Sequence, residues 1–521
     1  PLEAAWPKAN VVIGNPPFLG GSKKRRELGD AYFEALALVF KDRVPAGADL
    51  VCYWFDKARM QMAGAGLQAA GFVATQSVRS GSNRRVLDAI VKDVQIFDAW
   101  ADEPWVNEGA AVRVSLVCFG LGENGGVLNG KPVKRISADL GGDGGGVDLT
   151  TARLLPQNAG ASFEGTKKYG DFDISGELAR SWLCLPNPHG KSNAEVVKPW
   201  RNGQDLSQRH SDTWIVDFGT SMTDSDAGLY EAPFSYIALH VKPERIKVRR
   251  ERTKRIWWLH EEARVALRKA LRGLPRFMAT PRVSKHRFFV FLDATVLPDT
   301  RLNVIARADD TTFGLLSSRI HEVWSLAQAS MHGVGNDPTY NAKSCFETFP
   351  FPEGLTPADT AHQRTEAVEG GALIPADISV PSKARTQKAR AQAAIQTIAT
   401  RDHAMRIAIA AKRLNDLRES WLNPPEWTQR LPEVIPLGMD KSPYPDRIVP
   451  RPGHEKELAE RTLTKLYNQR PAWLDAAHKT LDAAVAAAYG WADYSADLPD
   501  EEILKRLLAL NLARAASATG A

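Results

Sequence analysis

The sequence predicts an α/β protein of several domains, and three observations support this prediction. The chain has 521 residues, more than one compact core usually holds. Strand-like and helix-like segments alternate over residues 11–120, which is typical of an α/β sheet. Helical periodicity fills residues 431–521. We therefore expect a sheet domain first, a mixed α/β region in the middle and a helical region at the carboxyl end.

The sheet domain begins with a predicted strand at residues 11–14, VVIG, which ends abruptly in the tetrapeptide Asn15-Pro16-Pro17-Phe18. A loop that carries four consecutive cations at residues 23–26 is expected next. Two helices are predicted after it, in GDAYFEALALVF and ADLVCYWFDKARMQMA, because apolar residues recur there at helical spacing.

Three more strands complete the predicted sheet. The run AGFVATQSV predicts the second strand, and SGSNRRVLDAIVKD, which opens with serines and an asparagine as candidate caps, predicts a helix. The runs VQIFDAW and AAVRVSLVCFG then predict two strands that pair antiparallel. The glycine-rich residues 140–148 indicate a loop or a domain boundary.

The composition changes after this boundary. Residues 198–352 mix tryptophans and arginines with short strand-like runs, and a long basic helix is predicted over residues 242–276. A proline- and alanine-rich connection follows FPFPEG and leads to the helical segment AMRIAIAAKRLNDLRESWL. We expect five segments along the chain: 1–125, 126–194, 195–355, 356–430 and 431–521.

Composition narrows the class of protein. No apolar run approaches the ~20 residues that a membrane helix needs, so no membrane partner is expected. The four cysteines are far apart and form no C-x-x-C pair, which predicts reduced thiols and a cytoplasmic protein. The eleven histidines form no recognisable ligand set, so no metal is predicted. The formal charge of +6 favours a polyanionic partner only weakly.

The tetrapeptide at residues 15–18 has a specific chemical logic. Ligands of open α/β sheets bind outside the carboxyl ends of the strands, and prolines there hold a carbonyl outward. Asn15 adds a second acceptor and Phe18 a flat face, which suits a planar base with an exocyclic amino group, such as an adenine turned out of a duplex. The alternative is a proline-stiffened turn, but the preceding strand, the phenylalanine and the cationic loop favour the base site.

These residues also resemble a known family. IGNPPFLGG resembles the catalytic motif of DNA methyltransferases that act on the amino group of adenine. Four later segments resemble the target-recognition and carboxyl-terminal parts of MmeI-like type II restriction-modification enzymes and their methyltransferase relatives. These segments are KPWRNGQDL, FMATPRVSKHRFFVF, CFETFPFP and LTKLYNQRPAWLDAAHKTLDAAVAAAYGW.

The resemblance implies a fold and an activity. Residues 1–125 would be the carboxyl-terminal half of a Rossmann-like class I methyltransferase domain, and residues 126–194 its connection to a mixed α/β target-recognition domain at 195–355. A linker and helical segment at 356–430 would lead to the helical domain. Asn15 and Pro16 would accept hydrogen bonds from the target N6 amine, Pro17 would fix the turn, and Phe18 would stack on the base.

The resemblance also implies S-adenosylmethionine as the methyl donor. In the family its site rests on a glycine-rich strand-to-helix turn before the N-P-P-F strand, and no such turn precedes that strand here. Residues 120–125 fit G-x-G-x-x-G, but Asn129-Gly130 soon afterwards predicts a hairpin, whereas the fingerprint must open a helix. We therefore expect an amino-terminally truncated chain whose cofactor-binding residues lie upstream.

Double-stranded DNA is the partner that this assignment requires. Charge runs are usually solvated surface, yet cations beside a base pocket favour phosphate contact, and the basic helix would carry cations on nearly all sides. Arg, Lys and Asn side chains can also read base edges. The candidate DNA-binding residues are Lys23, Lys24, Arg25, Arg26, Arg201, Asn202, Arg249, Arg250, Arg282, Lys285 and Arg287.

The sequence is also compatible with two other functions. MmeI-like enzymes often fuse DNA cleavage with methylation, but no Asp or Glu here is followed two positions later by Lys, the pair common in such nucleases. Cleavage would then belong to an upstream part or to a separate nuclease or defence subunit. The chain could instead be a DNA-binding specificity module that is inactive on its own. The biological role expected is restriction-modification or phage defence.

Overall fold

The structure is a computed structural model of the chain, and it describes residues 1–64, 66–79, 81–107, 110–122, 125–142, 147–332, 337–378 and 387–519. Two compact units make up the chain. The first unit comprises residues 1–148 and 330–337, and the second comprises 149–329 and 338–521. In the part of the chain that the structure describes, no helix combines the length and the apolar character needed to cross a membrane.

The first unit is built on a six-stranded sheet in the order β1-β2-β4-β3-β5-β6. β1 pairs parallel with β2, and β2 pairs antiparallel with β4. The antiparallel pairing that we predicted for β3 and β4 is confirmed. The strands are β1 Val11–Gly14, β2 Ala69–Thr75, β3 Gln95–Asn107, β4 Ala110–Gly120, β5 Gly126–Leu128 and β6 Lys131–Val133. The helices are α1 Gly21–Leu28, α2 Asp30–Val39, α3 Cys52–Gly64 and α4 Gly81–Asp93.

The core of this unit lies between the sheet and the helices α3 and α4. The rings of Phe55, Phe72 and Phe119 lie 5.1–6.2 Å from one another, which joins α3 to the neighbouring strands β2 and β4. Residues of β2 alternate between buried and half-buried positions because successive side chains of a strand point to opposite faces. β1 and β2 run parallel, and the catalytic candidates follow the carboxyl end of β1.

Two details of the first unit bear on the sequence predictions. The four cations occupy helix α1 rather than the loop we expected, because lysine, arginine, glutamate and leucine are all good helix formers. The predicted hairpin after residue 125 is confirmed as β5–β6, with positive φ at Asn129 and Gly130. G-x-G-x-x-G therefore leads into a strand and not into a helix; residues 123 and 124 lie outside the described residues.

The second unit contains two four-stranded sheets, in the orders β13-β9-β10-β8 and β12-β11-β14-β7, and the two-stranded pairs β17–β18 and β19–β20. Its strands are β7 Ser162–Glu164, β8 Asp173–Ser175, β9 Val197–Arg201, β10 Thr213–Val216, β11 Arg276–Pro281, β12 Val290–Asp293, β13 Leu297–Pro298, β14 Leu302–Ile305, β17 Thr365–Ala367, β18 Leu373–Pro375, β19 Thr428–Leu431 and β20 Arg447–Pro450. A further short pair is formed by β15 Met331–His332 and β16 Asp337–Pro338, whose residues belong to the first unit except for Pro338.

Helices alternate with these strands along the chain and form the carboxyl end of the unit. They are α5 Gly176–Leu183, α6 Gly203–Ser207, α7 Asp224–Ala227, α8 Glu231–His240, α9 Lys242–Arg245, α10 Glu251–Arg255, α11 Val265–Leu271, α12 Asp310–Ser317, α13 Arg319–Ala327, α14 Gln387–Leu422, α15 Glu455–Ala459, α16 Leu463–Gln469, α17 Ala472–Ala488 and α18 Asp500–Thr519. Helices α12, α14 and α17 pack closely, since a Cβ on Gly314 would lie 2.6 Å from Ile407 and 3.1 Å from Leu481.

The long basic helix expected over residues 242–276 is wrong. The segment forms three short helices, α9, α10 and α11, separated by turns. The reason is the buried Arg245, whose guanidinium donates to the carbonyls of Tyr169 at 2.9 Å and Leu259 at 2.7 Å. Because Leu259 lies on the same segment, the chain must fold back around that side chain.

Candidate functional site

The tetrapeptide at residues 15–18 lies at the carboxyl end of β1. Asn15 and Pro17 are exposed, Pro16 is buried and Phe18 is half-buried. The Leu19 amide donates to the Pro17 carbonyl at 3.0 Å, and the Leu50 amide donates to the Leu19 carbonyl at 2.9 Å. Within the described residues, neither the Asn15 side-chain amide nor the Pro16 carbonyl has a hydrogen-bond partner. The backbone of the turn is therefore held by hydrogen bonds, whereas the Asn15 side-chain oxygen and the Pro16 carbonyl remain available to accept hydrogen bonds from a ligand.

A polar network lies beside this turn, where β2 ends, and sequence reasoning missed it. Ser77 Oγ donates to Asp49 Oδ2 at 2.8 Å and contacts Thr75 Oγ1 at 2.6 Å. Asn83 Oδ1 accepts from the Asp49 amide at 2.8 Å, so this predicted cap residue instead joins α4 to the network. A Cβ on Gly20 would lie 3.6 Å from Asp49 Oδ1, which places the carboxylate next to the end of the turn. The sequence signal that could have indicated this network is the run of polar residues that follows the apolar residues of β2.

The four cations of α1 have different surroundings. Lys24 is fully buried, and its ammonium donates to the Ala46 carbonyl at 3.1 Å and the Tyr53 hydroxyl at 3.2 Å. Burial lowers the pKa of the Lys24 ammonium, although Cys52 and Asp49 act in the opposite direction. This environment argues against a phosphate contact by Lys24.

The other three cations of the run are exposed. Arg25 pairs with Asp30 at 3.0 Å and with Glu34 at 3.1 Å, and Arg26 pairs with Glu27 at 2.7 Å. Lys23 is exposed, and its ammonium contacts no hydrogen-bond or ion-pair partner within the described residues. Exposed ion pairs are worth at most about 1 kcal/mol, so a phosphate could displace them. Lys23, Arg25 and Arg26 stay candidates for DNA contact.

The candidates for reading base edges all belong to the second unit, and their surroundings also differ. These candidates are Arg201, Asn202, Arg282, Lys285 and Arg287. Arg287 is buried and donates to Thr280 Oγ1 at 2.9 Å and to the Pro281 carbonyl at 2.6 Å. Its guanidinium therefore holds β11 and the loop after it, and it is not placed to read a base. Asn202 caps α6, because its Oδ1 accepts from the Gln204 amide at 2.8 Å. Arg201 is half-buried and donates to the Trp200 carbonyl at 2.8 Å.

Three sequence segments that are far apart meet at these residues. The Arg282 amide donates to the Arg301 carbonyl at 2.8 Å, and the Asp299 amide donates to the Arg201 carbonyl at 2.8 Å. Helix α16 joins the same surface, since Lys285 Nζ donates to Asn468 Oδ1 at 2.7 Å. We call this surface the polar face and define it by Asn202, Gln204, Arg282, Lys285, Arg301 and Asn468. The segments KPWRNGQDL, FMATPRVSKHRFFVF and LTKLYNQR all contribute to it.

A second group of cations surrounds the turn between α9 and α10. Arg249 is exposed and has no recorded partner within the described residues, whereas Arg250 pairs with the buried Glu261. Thr253 Oγ1 donates to the same carboxylate, which holds the turn in place. The turn thus exposes guanidinium groups from a fixed backbone, although the helix that we predicted to carry them is absent.

Comparison with known proteins agrees with the resemblance stated from the sequence. Residues 3–128 match the family model described as MmeI, DNA-methyltransferase domain. A solved structure of the type IIL restriction-modification enzyme MmeI in complex with DNA matches 97% of this chain and 57% of its own, with a TM-score of 0.61 and 19% sequence identity. The chain therefore spans about 57% of the length of that protein.

A structure of the type IIG restriction endonuclease BpuSI matches 92% of this chain and 54% of its own, with a TM-score of 0.25 and 8% identity. No curated protein sequence matches the chain. The resemblance to MmeI-like methyltransferases and the predicted fold class, a Rossmann-like methyltransferase sheet followed by mixed α/β and helical regions, are confirmed.

Proposed function

We propose that the protein is a site-specific DNA methyltransferase that transfers a methyl group from S-adenosylmethionine to the N6 amino group of an adenine flipped out of double-stranded DNA. One observation carries the proposal. The exposed Asn15 amide and the unbonded Pro16 carbonyl lie together at the carboxyl end of β1, with the half-buried Phe18 next in sequence. The match of residues 3–128 to a DNA-methyltransferase family model supports it.

The proposed chemistry uses two hydrogen-bond acceptors and one aromatic face. Asn15 Oδ1 and the Pro16 carbonyl each accept one hydrogen of the adenine amine, which draws the nitrogen lone pair out of the ring system. The localised lone pair would then form the new bond to the methyl carbon while the bond between that carbon and the donor sulfur breaks. The proton that the methylated amine sheds would pass to water. Phe18 stacks on the flipped base and replaces the stacking lost from the duplex. No strong base is needed, because the amine loses its proton only after the new bond forms.

The turn must be rigid for this geometry to work. The hydrogen bonds from the Leu19 and Leu50 amides fix its far side. Asp49, Ser77 and Asn83 hold the neighbouring end of β2 through hydrogen bonds of 2.8–3.2 Å. We assign these three residues a positioning role, since the proposed contacts to the base are made by Asn15, Pro16 and Phe18.

The methyl donor supplies an electrophilic methyl group when it is bound. Within the described residues, β1 leads into α1 and β2 leads into α4, and neither connection is a G-x-G turn. These two connections therefore offer no glycine-rich turn of the kind expected for the donor, and we assign none of the described residues to it.

DNA binding is proposed for the polar face, for Arg249 and Arg250, and for Lys23, Arg25 and Arg26. Phosphate contacts position a protein on DNA, whereas contacts to base edges determine sequence. Exposed cations near the α9–α10 turn suit the first role, and the amide and guanidinium groups of the polar face suit the second. The MmeI structure is a complex with DNA, which supports DNA as the partner.

The biological setting that we propose is restriction-modification or phage defence in the cytoplasm. MmeI is named as a restriction-modification enzyme, which supports the setting. The four cysteines are free thiols, as expected in a reducing compartment. The absence of an acid-x-Lys pair from the sequence favours a separate source for any cleavage activity. A specificity module without catalysis is the second candidate, since the polar face would bind DNA without the methyl donor.

Identification of the product tests the proposal. The complete protein is incubated with labelled S-adenosylmethionine and genomic DNA that lacks methylation, and the digested nucleosides are separated by mass spectrometry. We expect N6-methyladenine as the labelled product, confined to one short sequence context. Label in cytosine would contradict the assignment of the target base, and DNA binding without any label would favour the specificity module.

A further inference from the structure

Lys285, His286 and Asn468 form a small cluster on the polar face, although 182 residues separate the last two in sequence. Lys285 Nζ donates to Asn468 Oδ1 at 2.7 Å, and His286 Nε2 lies 2.8 Å from the same oxygen. Lys285 and Asn468 are exposed, and His286 is half-buried. One side-chain oxygen of α16 is thus held by two residues of the loop that follows β11.

The chemistry of lysine determines how the Asn468 amide is oriented. An ammonium group only donates hydrogen bonds, so the atom that faces Lys285 must be the amide oxygen and not the nitrogen. His286 Nε2 then carries a proton and donates to that oxygen as well. Asn468 Nδ2 points away with both hydrogens, and it has no recorded partner within the described residues. Asn468 can therefore act toward a ligand only as a donor.

Packed aromatic rings support the cluster on its buried side. The His286 and Tyr467 rings lie 6.0 Å apart, and the Phe288 and Tyr467 rings lie 5.9 Å apart. Tyr467 is buried, and its hydroxyl lies 3.1 Å from His478 Nε2. The Thr464 hydroxyl also donates to the Ser207 carbonyl at 3.0 Å, which ties α16 to α6. These contacts fix the backbone that carries His286 and Asn468, so the cluster is more rigid than an isolated surface lysine.

No carboxylate neutralises the cluster within the described residues. Lys285 has no ion pair there, whereas Arg470, two residues beyond Asn468, pairs with Asp475 at 3.0 Å. The exposed groups of Asn468 and Lys285 are therefore hydrogen-bond donors with a net positive charge. Their ligand must offer acceptors.

We propose that Asn468 and Lys285 read a guanine through its N7 and O6 acceptors in the major groove, with His286 as a positioning residue. An asparagine that reads adenine needs its oxygen for the N6 amine, and here that oxygen is already occupied. A guanine offers two adjacent acceptors, which match the donors that remain. A phosphate could be bound by lysine alone, so a fixed orientation of the Asn468 amide favours a guanine over a phosphate as the ligand. The inference rests on the proposed function, because it assigns one recognition contact to the proposed DNA-reading surface.

The test uses the full chain and a library of DNA duplexes with a randomised central segment. Bound duplexes are recovered and sequenced for the wild type and for Asn468→Asp. The aspartate keeps an oxygen for Lys285 and His286 but turns the donor group into an acceptor. We expect one guanine position to lose its preference, with binding to the guanine duplex weakened by about 10-fold or more and the other positions unchanged.

The matched control is Gln469→Glu, the same exchange at the adjacent exposed residue, which adds an equal charge without touching Lys285 or His286. A uniform loss of binding by both variants, or an unchanged guanine preference in Asn468→Asp, would overturn the inference. Lys285→Met is a second variant, because it removes one of the two donors proposed for the guanine while His286 still holds Asn468 Oδ1. We expect it to weaken the preference at the same guanine position, and an unchanged preference would contradict the contact by Lys285. A wild type that binds duplexes without any sequence preference would instead contradict the proposed function itself.

Discussion

Lys23 and Lys24 are adjacent in sequence and are placed in opposite environments by helix α1. Lys23 is exposed, whereas Lys24 is fully buried against Ala46 and Tyr53, with its ammonium 4.7 Å from the centre of the tyrosine ring. Consecutive residues of a helix point about 100° apart, so a run of four cations cannot all face one ligand. The sequence indicates the charge of such a run, and only the packed helix determines which cations remain available.

This pair of lysines gives a prediction with its own control. Lys24→Ala should lower the free energy of unfolding by about 1–3 kcal/mol, because the Ala46 carbonyl and the Tyr53 hydroxyl lose their donor and a cavity remains. Lys23→Ala should leave the stability nearly unchanged and reduce the salt dependence of DNA binding by about one phosphate contact. Urea unfolding and binding titrations at several salt concentrations measure both. Equal losses of stability in the two variants would contradict the structural role of Lys24 and the exposed position of Lys23.

At the scale of elements, local patterns predicted the first unit well. The apolar run of β1, the periodicity of α3 and the Asn129-Gly130 hairpin are all present, because each depends on residues close in sequence. The prediction of one long basic helix failed because Arg245 donates to the Tyr169 carbonyl, 76 residues earlier in the chain, and no local pattern encodes that contact. The Asp49–Ser77–Asn83 network was not predicted, because the polar run after β2 does not show that Asp49, which lies 28 residues before Ser77, contacts it.

One helix contact in the second unit predicts a pH dependence of stability. Asp482 of α17 accepts from the Arg319 amide at the start of α13 at 2.7 Å, and burial raises its pKa to about 7. Glu322 acts in the same direction, and Arg319 and Arg470 oppose it. A carboxyl with a pKa of about 4 in the unfolded chain then binds its proton more tightly when folded.

The sign of this effect follows from proton binding. Between about pH 4 and pH 7 the folded chain holds the extra proton, so the free energy of unfolding should fall as the pH rises and level off above pH 7. Asp482→Asn keeps an oxygen for the Arg319 amide and removes the ionisation. We expect the stability of the variant relative to the wild type to increase from pH 5 to pH 8 in chemical unfolding. A difference in the free energy of unfolding that stays constant with pH would rule out Asp482 as the source of the pH dependence.

At the scale of the whole molecule, the chain divides at Asp148 and Leu149, beside the glycine-rich residues that the sequence indicated as a boundary. Residues 143–146 themselves lie outside the described residues. The five finer segments remain predictions. The proposed catalytic turn belongs to the first unit and the polar face to the second, so the two proposed activities lie on separately packed cores.

This separation predicts that DNA recognition survives without the catalytic unit. Residues 149–521, expressed alone, should retain the sequence preference of the full chain, with an affinity lower by no more than about 10-fold, because the polar face and the α9–α10 turn both lie within them. Selection from a randomised duplex library measures the preference. A folded fragment that binds every sequence equally would show that residues outside it are needed to read the site.

The central claim is that the turn at Asn15-Pro16-Pro17-Phe18 holds the target amine during methyl transfer. The most direct test compares wild type and Asn15→Ala in the complete protein, with methyl transfer from labelled S-adenosylmethionine and DNA affinity measured on the same duplex. Asn15 is exposed and bonded to no other described group, so the exchange should leave folding and binding intact. We predict a loss of transfer of about 100-fold or more with nearly unchanged DNA affinity. Undiminished transfer by Asn15→Ala would contradict the claim.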